Sequence, residues 1–169
     1  MIVEFGSEID DALNNQVHVL AKKLEESQIR GVLETVPTFR SLLIYYEPGE
    51  IKFGQLQEKI SAFGELTAAG SQKKKRILKI PCCYGARFGQ DLGFMEKHTG
   101  LTRDEIIAIH SSVDYKIYML GFLPGFVYLG GLDKRLEMPR MTTPRVKIQP
   151  GAVGIGGSQT GVYPLTFPG

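Results

Sequence analysis

Between Tyr115 and Gly161 glycine and proline repeatedly interrupt an apolar, aromatic chain, and no other feature limits the fold as much. The stretch runs Tyr115-Lys-Ile-Tyr-Met-Leu-Gly-Phe-Leu-Pro-Gly-Phe-Val-Tyr-Leu-Gly-Gly-Leu132. It continues through Pro139-Arg140 and Thr143-Pro-Arg145 to Pro150-Gly-Ala-Val-Gly-Ile-Gly-Gly-Ser-Gln-Thr-Gly161. Breaks at this density stop a helix and suit short strands joined by tight turns. Bare backbone amides alternate there with arginine, glutamine and threonine, a mixture that can hold a small polar ligand.

The first half has a different texture. Fourteen of the 20 glycines and seven of the nine prolines lie after residue 75. Before it, Ile2 to Phe5 suits a first strand, and Ser7 or Asp10 can cap a helix. Leu13, Val17, Leu20 and Leu24 fall on one face of that helix, with Asn14, Lys22, Lys23 and Glu25 mostly off it. Val32 to Val36 and Ser41 to Tyr46 read as strands. Phe53, Leu56, Ile60 and Phe63 give a second amphipathic helix ending at Gly64. Strand, helix, strand, strand, helix is a βαββαβ unit short of its last strand, which Ile77 to Cys82 can supply. The expected fold is therefore α+β, with an α/β domain over 1–75 and a β-rich domain over 76–169. Thr67 to Arg76 is a polar stretch, and Lys73-Lys74-Lys75-Arg76 within it reads as a solvated linker in preference to an anion patch.

In the second domain a helix is expected from Asp91 to His98. Another follows the Thr102-Arg103-Asp104-Glu105 capping box, in which the hydroxyl reaches forward and the carboxylate back. A net charge of +2 excludes a chain that grips nucleic acid by bulk charge alone. The two cysteines, Cys82 and Cys83, are neighbours that rarely bridge, and no second Cys/His pair completes a zinc site. Reduced thiols, no basic-then-apolar leader and no bilayer-length apolar run together predict a cytoplasmic protein.

Several residues have chemical potential, each with a plainer alternative. His110 closes the second of these helices, where nearby carbonyls favour a protonated ring. It suits a general base or an anion contact, and equally a cap for the last carbonyls. His18 and His98 read as surface or edge residues. Phe122, Pro124, Phe126 and Tyr128 can floor a small ring or simply fill a core. Arg145 can clamp a carboxylate with two hydrogen bonds or form a surface ion pair, and Arg140 has a similar but less supported claim. The Gly154–Gly161 run is neither a Walker A loop nor a dinucleotide fingerprint. Its amides suit an anion nest and Gln159 suits an amide ligand, while a tight hairpin without ligand accounts for it equally well.

Taken together, Ile80-Pro-Cys-Cys-Tyr-Gly85, Gly89-Gln-Asp-Leu92, His98-Thr-Gly-Leu101, Gly121-Phe-Leu-Pro-Gly-Phe-Val-Tyr-Leu-Gly-Gly-Leu132, Thr143-Pro-Arg145 and Gly151-Ala-Val-Gly-Ile-Gly-Gly-Ser-Gln-Thr-Gly-Val-Tyr-Pro164 resemble the B subunits of bacterial 5-oxoprolinase. That family is also called KipI or allophanate hydrolase subunit 1. The resemblance extends to Val3-Glu-Phe-Gly6 and Pro37-Thr-Phe-Arg-Ser-Leu-Leu43 and so covers nearly the whole chain. It implies that the β-rich domain is a cyclophilin-like barrel, partial here because members continue past Pro168-Gly169. It implies a homologous C subunit and a third, A subunit as partners, ATP, with magnesium, as co-substrate, and no cofactor bound on this chain alone. The activity implied is hydrolysis of 5-oxo-L-proline to L-glutamate, which phosphorylates the lactam oxygen before water attacks. The alternative implied by KipI is an inhibitor that binds a sporulation histidine kinase. Carboxyl transfer to urea would need a biotin carrier, of which there is no sign. For the hydrolase, Arg145 is expected on the substrate carboxylate or a phosphate, and Gln159, Thr160 and the amides of Gly156 and Gly157 on the lactam oxygen. His110 is expected to move protons, and Phe122, Pro124 and Phe126 to hold the ring.

Overall fold

The computed structural model describes residues 1–64 and 76–168. The chain divides into two compact units, Met1–Lys73 and Lys74–Gly169. The expected linker from Thr67, including Lys73 to Lys75 and the expected boundary near Lys75, lies outside the described residues.

In the first unit, β1 (Ile2–Glu4), β2 (Val32–Pro37) and β3 (Ser41–Tyr46) form an antiparallel sheet in the order β1-β3-β2. Helix α1 (Asp11–Ser27) joins β1 to β2, so β3 is inserted between the two strands that α1 connects, a split βαβ arrangement. Asp10 starts α1, its carboxylate accepting from the amides of Ala12 at 2.8 Å and Leu13 at 3.1 Å. Val17, Leu20 and Leu24 of α1 pack with Leu42, Ile44, Ile51 and Leu56, the last from α2 (Phe53–Ser61). Each such side chain contributes roughly 1.5–3 kcal/mol when fully buried.

Two expectations fail in this unit. Asn14 is not on the solvent side of α1 but fully buried, its amide donating to the carbonyls of Thr38 at 3.1 Å and Phe39 at 3.2 Å. Phe53 is more than half exposed, because it is the first residue of α2 and precedes the turn that packs. A third expectation fails beyond it, since the stretch 77–82 takes part in no strand. Ile77, Leu78 and Ile80 are each at least 60% exposed, so the apolar composition that suggested a fourth strand is not matched by a pairing partner.

The second unit places helices beside an antiparallel sheet. Helix α3 (Leu92–Thr99) and helix α4 (Arg103–Ser111) precede β4 (Lys116–Leu120), β5 (Val127–Gly130), β6 (Val153–Gly156) and β7 (Gln159–Val162), whose order is β4-β5-β7-β6. The capping box forms as the sequence predicts. The Glu105 carboxylate accepts from the Thr102 amide at 2.8 Å, and the Thr102 hydroxyl accepts from the Glu105 amide at 3.4 Å. Leu92, Ile106, Leu132 and Leu136 are buried together, with Tyr84, Ile109, Tyr115 and Ile155 packed against them. Among the described residues the four strands form an open sheet, with β4 and β6 at its edges, and no barrel closes; the resemblance implied only part of one. No described helix is long and apolar enough to cross a membrane.

Candidate functional site

The β6–β7 hairpin turns through Gly157 and Ser158. Gly157 has φ +61°, which glycine adopts without strain, and Ser158 does not have positive φ, as a type II′ turn requires. Gly156 lies opposite Gln159, Ile155 opposite Thr160, and Gly154 opposite Gly161. Directly opposite residues share a face, and alternate residues do too. One face of the hairpin therefore presents Gly154, Gly156, Gln159 and Gly161. The other presents Ile155 and Thr160.

The missing side chains on the glycine face are filled from elsewhere. A Cβ on Gly161 would meet the Phe126 ring at 2.5 Å, and one on Gly154 would meet the Tyr163 ring at 3.1 Å. A Cβ on Gly156 would lie 3.6 Å from Cγ and 3.8 Å from Nε of Arg140. Phe126 and Tyr163 meet edge to face at 5.1 Å between centroids, and Tyr128 stands 5.0 Å from Phe126. Phe122 joins them, 5.4 Å from Phe126 and 4.9 Å from Phe167. It holds φ +66°, a conformation uncommon for an aromatic residue, and is 56% exposed. The result is an aromatic wall beside a glycine-floored strip, with Gln159 at the turn end. Pro124 is exposed on the loop between Phe122 and Phe126.

This geometry gathers some of the sequence-predicted residues and separates others. Gln159, Gly156, Phe122 and Phe126 fall on or around the glycine face. Thr160 does not. It is buried on the opposite face, its hydroxyl donating to the Gly154 carbonyl at 2.9 Å. The Gly157 amide donates to the Met138 carbonyl at 2.7 Å, so it is already committed within the fold and is not a free donor for a lactam oxygen.

His110 lies with the helices. Its Nδ1 is 2.6 Å from the Tyr84 hydroxyl, and Tyr115 donates its hydroxyl to the His110 carbonyl at 2.9 Å. Tyr84 and Tyr115 both pack in the cluster that receives Ile155 from the face opposite Gln159. The expected protonated ring is also reversed, because burial lowers the pKa of His110 below its ordinary value of 6.5. Burial and then the neighbouring Cys82 thiol raise the pKa of Tyr84, which stays a phenol. Arg145 is likewise engaged within the fold. Its guanidinium donates to Gln90 at 3.0 Å and is ion-paired with Asp91, just before α3.

Sequence reasoning missed Tyr163, although the alternation Gln159, Gly161, Tyr163 puts it on the same face. A groove of about 1200 Å³ lies in the first unit between α1 and β2, lined by His18, Lys22, Glu25 and Leu33 among others, and includes none of these residues.

The family model for the carboxyltransferase domain, subdomain C and D, matches residues 1–169. The chain belongs to the family of 5-oxoprolinase B subunits. It is 40% identical to the 5-oxoprolinase B subunit of Bacillus subtilis (strain 168), a match that spans the whole chain and 75% of that protein. It is 34% identical to the protein of that name from Escherichia coli O157:H7, over the whole chain and 76% of the relative. The crystal structure of TTHA0988 superposes with a TM-score of 0.84 at 30% identity, and the match covers all of this family member but only 33% of that chain.

Proposed function

We propose that this chain is the B subunit of an ATP-dependent 5-oxoprolinase and supplies the substrate-holding half of a site completed by a homologous C subunit, with a third subunit, A. The 40% identity to a 5-oxoprolinase B subunit over the whole chain carries the reading. The glycine face suits the ligand. Gln159 offers both a donor and an acceptor to a lactam N–H and C=O, and among the described residues its side chain has no hydrogen-bond partner. Phe122 and Phe126 give a five-membered ring an apolar wall. The missing Cβ of Gly156 lets the Arg140 stem lie against the strand beside Gln159's register position. The open sheet of the second unit is proposed to be part of a cyclophilin-like barrel.

In the reaction, ATP transfers its γ-phosphoryl group to the lactam oxygen and leaves as ADP. Water adds to the activated carbon, and the ring C–N bond breaks as the nitrogen takes a proton. A second water hydrolyses the resulting acyl phosphate to the carboxylate of glutamate and inorganic phosphate. Gln159 orients the lactam and stabilises charge as it develops on its oxygen. The test is glutamate release from 5-oxo-L-proline and ATP by the purified subunits, singly and mixed. Turnover confined to the mixture, and reduced at least about 10-fold by Gln159→Leu with unchanged melting temperature, is expected. No glutamate from the mixture overturns the reading.

A further inference from the structure

We infer that Arg140, and not Arg145, is the residue of this chain that binds the carboxylate of a small cyclic-amide acid, beside Gln159 on the glycine face. The inference rests on the lactam reading above and adds the group that would distinguish an acid from its neutral analogue.

Two backbone hydrogen bonds fix the root of Arg140. Met138 and Gly157 exchange them at 2.7 and 3.4 Å, so the chain that carries Arg140 is tied to the hairpin turn. Two residues on, the Arg140 stem lies over Gly156, along the direction in which a Cβ would project. Gln159 is the register partner of Gly156 and projects to that face, with opposite positions about 5 Å apart at Cβ. The Tyr163 hydroxyl belongs to the same strip, 3.9 Å from the Cβ position of Gly154, which is about 7 Å from Gly156 along the strand.

Charge sorts the two arginines. Arg145 already has Asp91 and Gln90. Among the described residues Arg140 has neither an ion pair nor a hydrogen bond, and the Gln159 carboxamide and Tyr163 phenol of the same face also lack hydrogen-bond partners. A planar guanidinium in that position presents a two-pronged donor to a carboxylate, while Gln159 pairs with the amide of the same small molecule. The aromatic wall accepts its ring methylenes.

The experiment is equilibrium binding to the intact protein assembled with its partner subunits, without ATP. The probes are 5-oxo-L-proline and 2-pyrrolidinone, the same lactam without its carboxylate. The wild type is expected to prefer the acid by at least about 10-fold, and Arg140→Gln to abolish that preference, the scale of one charge-assisted hydrogen-bond pair. Arg145→Gln should keep it. Arg140→Lys, which retains charge but loses the fork, should keep part of it and provides a second variant if the first folds poorly. Retained preference in Arg140→Gln, or none in the wild type, overturns the inference. If the preference and its loss are observed but the assembly makes no glutamate, the hydrolase reading fails and the carboxylate assignment stands.

Discussion

The Tyr84 hydroxyl is 2.6 Å from Nδ1 of His110, and that contact makes the imidazole part of the helical layer. A ring whose folded pKa is depressed by burial binds fewer protons than the unfolded chain does. Stability from the neutral ring is therefore complete above the unfolded value of 6.5 and declines as pH falls from there through the folded value. Melting temperature measured from about pH 8 to about pH 5 should drop on the acid side in the wild type. The drop should be smaller in His110→Gln, which cannot take up the proton. An equal acid-side drop in both proteins would place the titration elsewhere.

Arg145, like Arg140, follows a proline that fixes the approach of the chain. Its ion pair with Asp91 is partly exposed, with 36% and 52% of the two side chains accessible. A pair of that kind contributes about 1 kcal/mol or less. Arg145→Ala should lower the free energy of unfolding by no more than this in urea titrations, with the KM for the lactam acid unchanged in the assembled enzyme. A large rise in KM would return Arg145 to the site and weaken the case for Arg140.

What the sequence could and could not reveal follows from the range of the interactions involved. The Val17, Leu20, Leu24 stripe and the Thr102–Glu105 box are local patterns, so both were legible. The burial of Asn14 was not, because a polar residue at a core position is explained only by carbonyls from the turn between β2 and β3. The apolar stretch from Ile77 to Cys82 has strand composition, but strand formation needs a partner that composition cannot supply. The choice between Arg140 and Arg145 depends on the Met138–Gly157 bridge, a contact between separate turns. The glycine face itself was partly readable, since Gly154, Gly156, Gln159 and Gly161 alternate in one hairpin. That Phe126, Tyr163 and Arg140 would fill its three vacancies was not.

Those vacancies differ, and the difference is measurable. A Cβ on Gly161 meets both the Phe126 ring and, at 2.9 Å, the Val127 carbonyl, which cannot move without disturbing the sheet. Gly161→Ala should cost about 1–3 kcal/mol through overpacking. A Cβ on Gly156 meets only the Arg140 stem, at ordinary contact distance. Gly156→Ala should leave stability within about 0.5 kcal/mol of the wild type, as most unstrained substitutions do. Paired thermal and urea unfolding curves would separate the two, and equal losses would show that the aromatic wall yields as easily as the arginine.

Asn14 gives the clearest stability test in the first unit. It is fully buried, and its amide holds two carbonyls, those of Thr38 and Phe39, in the turn that follows β2. Leucine there matches the apolar surroundings in size but removes both donors. The loss then includes the cost of leaving two carbonyls without the amide that served them, which outweighs the gain from burying a methyl-rich side chain. Asn14→Leu should therefore destabilise the protein by about 2–4 kcal/mol. Amide exchange should quicken around Thr38 to Ser41 more than along β3, because the loosened contact is at the turn. If the variant were as stable as the wild type, the turn would have to be held by its own Thr38–Ser41 contacts, the Thr38 amide donating to the Ser41 carbonyl at 2.8 Å and the two hydroxyls meeting at 2.8 Å.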